Sequence, residues 1–262
     1  MFADRKSRLL AIALLCIMAI VCFGTLYLVG DLARFQEADT LRESRTALDG
    51  VNDPERLGHT LELYPFNRVL KLVALANRDS VEMDGAARGL LSEAEPAELW
   101  KRMEKEELSS RADLEALGRD LKAAEGNAAG LGPRYDDLGK IERDRVEHDA
   151  MALEGRNETF ARFMAMIDEQ HAGLKAVLSK ISVSRLAYYR AYEKCVALLA
   201  HELGVTKVVN GQFIFRLQSQ ADSYNDAAAA MAAAAKRLAE LDTERANLRQ
   251  SQFDGWKNFV GH

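Results

Sequence analysis

Four side chains between residues 185 and 192 are the ones best suited to hold a ligand. Arg185, Tyr188, Tyr189 and Tyr192 recur at three- and four-residue steps, so a helix would set them on one face. Arg190 and Lys194 add charge beside them. A guanidinium grips a carboxylate or phosphate in a fork, and phenol rings cover a cation or stack on an aromatic. The chemistry on offer is binding of an anionic or aromatic ligand. The plainer use of the same residues is packing, with the tyrosines inward and the basic heads in water. Phe213 and Phe215 are candidates of a second kind, residues for docking a partner, if the segment around them projects from the fold.

Catalytic and metal chemistry find no comparable support. The five histidines, His59, His148, His171, His201 and His262, have no metal-ligand spacing to another His, Cys or acid on one helical face, and each reads as a surface or boundary residue. His201-Glu202 lacks the second His of the zinc-protease helix. No Gly-rich loop could cradle a phosphate, and the Gly-x-Ser-x-Gly elbow is missing. Acid pairs such as Glu106-Glu107 and Asp136-Asp137 read as solvated helix faces. The expectation is no cofactor, no metal and no catalytic residue. Nucleic acid is not expected as a partner, because residues 31–262 hold 32 basic against 39 acidic side chains and no basic stripe.

The elements that carry these residues are helical. Apolar residues recur at three- and four-residue steps, and none of the four prolines, Pro54, Pro65, Pro96 and Pro133, lies beyond residue 133. Asn52 to Glu55 is a helix start, and Asn67–Asn77 and Ala86–Leu91 read as two short apolar pieces. Pro96–Glu125 is an amphipathic helix with Leu99, Met103, Leu108, Leu114, Leu117 and Leu121 on its apolar side. Gly126 to Pro133 is the strongest break. Tyr135–Glu154 follows, with Leu138, Ile141, Val146 and Met151 turned inward. Glu158–Leu203 is the longest periodic segment, and its stripe includes Ile167, His171, Leu174, Tyr188, Tyr192 and Cys195. Gly173 and Ser182 to Ser184 are candidate bends within it. Val205 to Leu217 breaks the period. Its Asn210-Gly211 between β-branched and aromatic runs signals a hairpin. Ala227–Gln250 returns to helix.

Leu9–Gly30 is an uncharged apolar run of 22 residues, long enough to cross a hydrocarbon core of about 30 Å. Arg5, Lys6 and Arg8 precede it, so the positive-inside rule places residues 1–8 in the cytoplasm and 31–262 across the membrane. The run is longer than a signal-peptide core and ends without a small-x-small site, which reads as an uncleaved signal-anchor. Cys16 and Cys22 lie within it, which leaves Cys195 alone outside and without an internal disulfide. The organisation expected is a cytoplasmic tail at 1–8, a transmembrane anchor at 9–30, a helical stalk at 31–50 and a periplasmic helical bundle at 51–262. The fold class expected is all-α, an elongated bundle with one short β-hairpin or extended connection near 205–217. A coiled-coil dimer is the rival, and its heptads drift.

One stretch carries a family resemblance. Val209, Asn210, Gly211, Phe215, Gln220, Tyr224 and Asn225, within Leu198–Asn225, resemble the late part of YiaF-like bacterial envelope proteins, the domain of unknown function 3053. The resemblance implies an exported, mostly helical envelope protein and supplies no catalytic residue. That family is largely lipoproteins, whereas this chain has no lipobox. The function expected is a structural or interaction module of the bacterial envelope, anchored in the inner membrane, with an envelope protein as partner and a homo-oligomer open. The alternatives are a ligand-binding, sensor-like bundle signalling through a membrane partner, and an enzyme acting on cell-wall or lipid material.

Overall fold

The computed structural model describes residues 39–48, 57–94, 110–209 and 212–261. The apolar run at 9–30, its flanks at 1–8 and 31–38, the helix start at Asn52 to Glu55, the 96–109 part of the Pro96–Glu125 helix, and Asn210-Gly211 lie outside them. Helix accounts for 89% of the described residues. No helix among them is long and apolar enough to cross a membrane.

The chain divides into two compact units, one of residues 1–71 with 257–262 and one of residues 72–256. In the first, helix α1 covers 39–48 and α2 covers Leu57–Leu63. A turn through Tyr64 and Pro65 leads to α3, Arg68–Glu93, whose first turn lies in this unit. Asn67 organises it. Its Oδ1 accepts from the Leu70 amide at 3.0 Å, capping α3. Its Nδ2 donates to Glu43 Oε2 at 2.8 Å and to Thr40 O at 3.2 Å. Ser44, fully buried, sets its hydroxyl 2.9 Å from the same Oδ1. The 39–48 part of the expected stalk is therefore a packed helix. Leu48, Val69, Leu70, Phe259 and Val260 are buried apolar residues of this unit among those described.

The second unit is a helical bundle. It holds the rest of α3, then α4 (Arg111–Ala129), α5 (Leu131–Glu154), α6 (Glu158–His201), a hairpin of β1 (Lys207–Val209) and β2 (Gln212–Ile214), and α7 (Gln218–Gly261) as far as Trp256. Cross-helix pairs give the directions. Arg78 meets Asp149 and Arg134 meets Glu93, so α3 and α5 are antiparallel. Asp136 meets Lys175 and Arg143 forks onto Asp168, so α5 and α6 are antiparallel. Lys180 meets Glu244 and Phe163 packs on Trp256, so α6 and α7 are antiparallel. Glu125 meets Arg190, and Ser182 donates to Ala128 O at 2.7 Å, so α4 also runs antiparallel to α6.

Two apolar clusters in the unit bear on α6. Met83, Ala87, Leu90 and Leu91 of α3 pack with Leu131 and Tyr135 of α5, Leu174, Val177, Leu178 and Ile181 of α6, and Leu241 of α7. Leu114, Leu117, Leu121, Ala124 and Ala128 of α4 pack with Tyr189 and Val196 of α6. Helix α6 serves both. Its 44 residues span about 66 Å at the standard rise, and neither Gly173 nor Ser182 to Ser184 interrupts it.

Several local expectations change. The two pieces at Asn67–Asn77 and Ala86–Leu91 are one helix, because nothing between them lacks an amide donor. The break at Gly126 to Pro133 narrows to Gly130, whose amide still bonds to Gly126 O and Asn127 O. Pro133 cannot donate to Ala129 O, which accounts for the interruption there. Ile141 is 64% exposed and Met151 37%, against the inward setting expected. Each is five residues from Val146, about 140° round the helix from that buried face. Helix α7 begins at Gln218, ahead of the expected Ala227.

Candidate functional site

Arg185, Tyr188, Tyr189 and Tyr192 do share one stretch of α6, and it faces α4 and the end of α3. The Arg185 guanidinium donates to Leu91 O at 2.7 Å, satisfying one of the last carbonyls of α3. Tyr189 is buried against α4. Tyr188 meets it edge-on at 5.7 Å between centroids and meets Tyr192 at 6.2 Å. Burial, reinforced by Tyr188 and Tyr224, pushes the Tyr192 phenol up to about 12. Arg190 pairs with Glu125 at 2.6 Å. Packing and helix-end bonding engage these side chains.

The thiol of Cys195, one turn beyond Tyr192, is buried, and that burial raises its pKa despite the nearby Lys194 charge. A thiol held protonated is a poor nucleophile.

The hairpin joins α6 to α7. Gly204, at φ 90°, takes the left-handed turn that ends the α6 region. Lys207 pairs with Ile214, Val208 with Phe213 and Val209 with Gln212. Side chains alternate across such a ribbon, so Lys207, Val209 and Ile214 leave one face and Phe213 the other. Phe213 and Phe215 both contact the Tyr224 ring on α7, at 5.5 and 5.3 Å. They fasten the hairpin to the bundle, while Phe213 keeps 39% exposure. Val209, 50% exposed, and Ile214, 49% exposed, stand on the opposite face. Leu203, Val205 and Leu217 are exposed around them. Beneath, buried Glu202 accepts from Gln220 and pairs with His201, so the last residues of α6 are tied to the first turn of α7. The period-two alternation of the strands was the signal for Val209 and Ile214.

The densest polar group inside the bundle has a different origin. Asp79 of α3, 1% exposed, holds His171 of α6 through Oδ2 and Nε2 at 2.8 Å. Among the described residues, Asp79 Oδ1 and the buried Tyr135 hydroxyl have no hydrogen-bond partner. Burial, then the Asp79 charge, raises the Tyr135 phenol far above its ordinary value. The same two causes raise the Glu142 carboxyl, against smaller pulls from His171 and Arg78. Glu142 itself pairs with Arg145 at 2.6 Å. A carboxylate behind an imidazole fixes the orientation of the ring. Here the pair is set among apolar residues of the core layer that holds Met83 and Leu174. No three His, Cys, Asp or Glu among the described residues converge to hold a metal.

His171 was expected at a surface or boundary and without an acid on its own helical face. Its partner comes from α3 instead. The usable signal was positional, since Asp79 sits one turn before Met83 on the buried face of α3. No family model, no characterised protein and no solved structure matches this chain.

Proposed function

We propose that this protein is a non-catalytic structural or interaction module of the bacterial cell envelope, anchored in the inner membrane by Leu9–Gly30, with its helical bundle in the periplasm. The hairpin between α6 and α7 is its docking tip. The observation that carries this reading is the apolar group Val205, Val209, Phe213, Ile214 and Leu217, left exposed on a bundle whose long helices bury their apolar stripes. The 22-residue uncharged run and the basic residues before it support the anchor and its direction. The likeness of Leu198–Asn225 to YiaF-like proteins points to the same compartment, and the reading stands without it. The ligand-binding alternative is weaker, because Arg185 and the three tyrosines are engaged within the bundle.

Fractionation with protease protection tests the topology. The chain is expected to pellet with inner membranes and resist alkaline extraction. The bundle is expected to be cleaved by protease added to spheroplasts and spared in intact cells. A chain released by alkali, or protected in spheroplasts, would sink the proposal.

A further inference from the structure

The tip between α6 and α7 carries a small basic excess. Residues 203–221 hold no acidic side chain in a protein with 40 of them, and hold two basic ones, Lys207 and Arg216. Both are exposed. The nearest carboxylate at the end of α6 is Glu202, buried and bonded to Gln220 and His201. Lys207 stands directly opposite Ile214, so charge and apolar side chain leave the same face of the ribbon.

We propose that this tip docks on a bilayer surface rich in anionic phospholipid. Val209, Ile214 and Leu217 enter the boundary between headgroups and acyl chains, Lys207 and Arg216 meet the lipid phosphates, and Phe213 stays on Tyr224 to hold the hairpin to the bundle. This deepens the docking role proposed above and rests on it. The charge is complementary to such a surface, and each basic residue near it strengthens attraction about fivefold. Size separates a bilayer from a protein partner. Val205, Val209, Ile214 and Leu217, each about half exposed, present roughly 300–400 Å², against the about 800 Å² each partner gives a standard protein interface. Strands of three residues also offer a second copy only a short ladder to extend. A bilayer needs no matching surface and rewards each inserted apolar side chain separately.

The test uses the full chain carrying Ile214→Trp, reconstituted in phosphatidylcholine vesicles with 30 mol% phosphatidylglycerol, with and without bromine on the acyl chains. The unsubstituted chain gives the background from Trp100 and Trp256. Emission added at position 214 is expected to be quenched at least twofold by the brominated lipid. That quenching is expected to fall at least threefold in pure phosphatidylcholine and in the Lys207→Glu, Arg216→Glu variant. Val209→Trp serves as a second reporter, with helicity by circular dichroism confirming the fold of each. Unquenched emission at both positions in chains that float with the vesicles overturns the proposal. So does quenching that is indifferent to lipid charge, or a photo-crosslink from position 214 to a second copy or another protein with no quenching. If the chain fails to float after reconstitution, the anchor reading falls instead, and quenching on addition to preformed vesicles decides the tip by itself.

Discussion

The Asp79–His171 pair sets a large local energetic demand. A carboxylate with 1% exposure depends on its single imidazole partner, because water cannot reach it. Removing that partner leaves a buried charge, so His171→Ala is expected to cost about 3–5 kcal/mol at pH 7, read by urea unfolding. The Asp79→Leu, His171→Leu double variant is expected to recover most of that loss, since replacing both partners removes the demand as well as the bond. Glu142 gives a pH signature. Its carboxyl is raised in the folded protein, so its contribution to stability is complete below the ordinary pKa of 4.5 and is lost as pH rises through the folded value. The change in melting temperature on Glu142→Gln is therefore expected to be more favourable at pH 7 than at pH 4. Thermal scans at the two pH values check this. The individual positions were legible, since Asp79, Glu142 and His171 each interrupt an apolar stripe. Their meeting was not, because Asp79 and His171 lie 92 residues apart and no local spacing links them.

At the scale of elements, two glycines with opposite backbone states make a paired prediction. Gly130 joins α4 to α5 at φ −79°, and a Cβ there would find only ordinary contacts, 3.5 Å at the nearest. Gly130→Ala is expected to stabilise by up to about 1 kcal/mol, by narrowing the unfolded ensemble. Gly204 sits at φ 90°, where an alanine is strained whatever the space around it. Gly204→Ala is expected to destabilise by about 1–2 kcal/mol, and denaturant midpoints of the two variants should move in opposite directions. Helix type was readable from the sequence because burial of one face imposes its period on the residues. Boundaries were less so. Gly126 to Pro133 has the composition of a loop, yet all but Gly130 is helical, because the stripe from Leu114 to Ala128 holds α4 against α6. The hairpin was legible from Asn-Gly between β-branched runs. Which of its faces met the bundle depended on Tyr224, which lies in the following helix.

Across the molecule, the period of the apolar residues pointed to the helical class and could not give the division into two units. Within the smaller unit Asn67 is the polar centre, since its amide binds Glu43, Thr40 and the first turn of α3 at once. Asparagine ahead of an apolar run reads as a cap, and nothing in the run tells that its other atoms reach back over 20 residues. Asn67→Ala is expected to cost about 2–4 kcal/mol, since a cap and a buried hydrogen-bond centre vanish together. Calorimetry on the full chain would register it as an earlier transition for the smaller unit, with the larger one little changed. A single transition shifted as a whole would mean that the units unfold together.

The position of α6 in both apolar clusters bears on how the larger unit opens. Among the described residues, the cluster at Leu174 to Ile181 sets eight buried residues of α3 and its end, α5 and α7 against α6, and the cluster at Tyr189 and Val196 sets five of α4 alone. Between Ile181 and Leu186 the helix passes from one to the other, with Val183 exposed. Local opening follows the thinner layer, so α4 is expected to detach first while α6 stays rooted in the larger cluster. Native-state hydrogen exchange would show this as two tiers of amide protection along one unbroken helix. The amides of α4 and the last turns of α6 would exchange early, those from Phe163 to Ile181 only with global unfolding. The hairpin lies at the early-exchanging end, so the part of the bundle that yields first is the part that carries the tip.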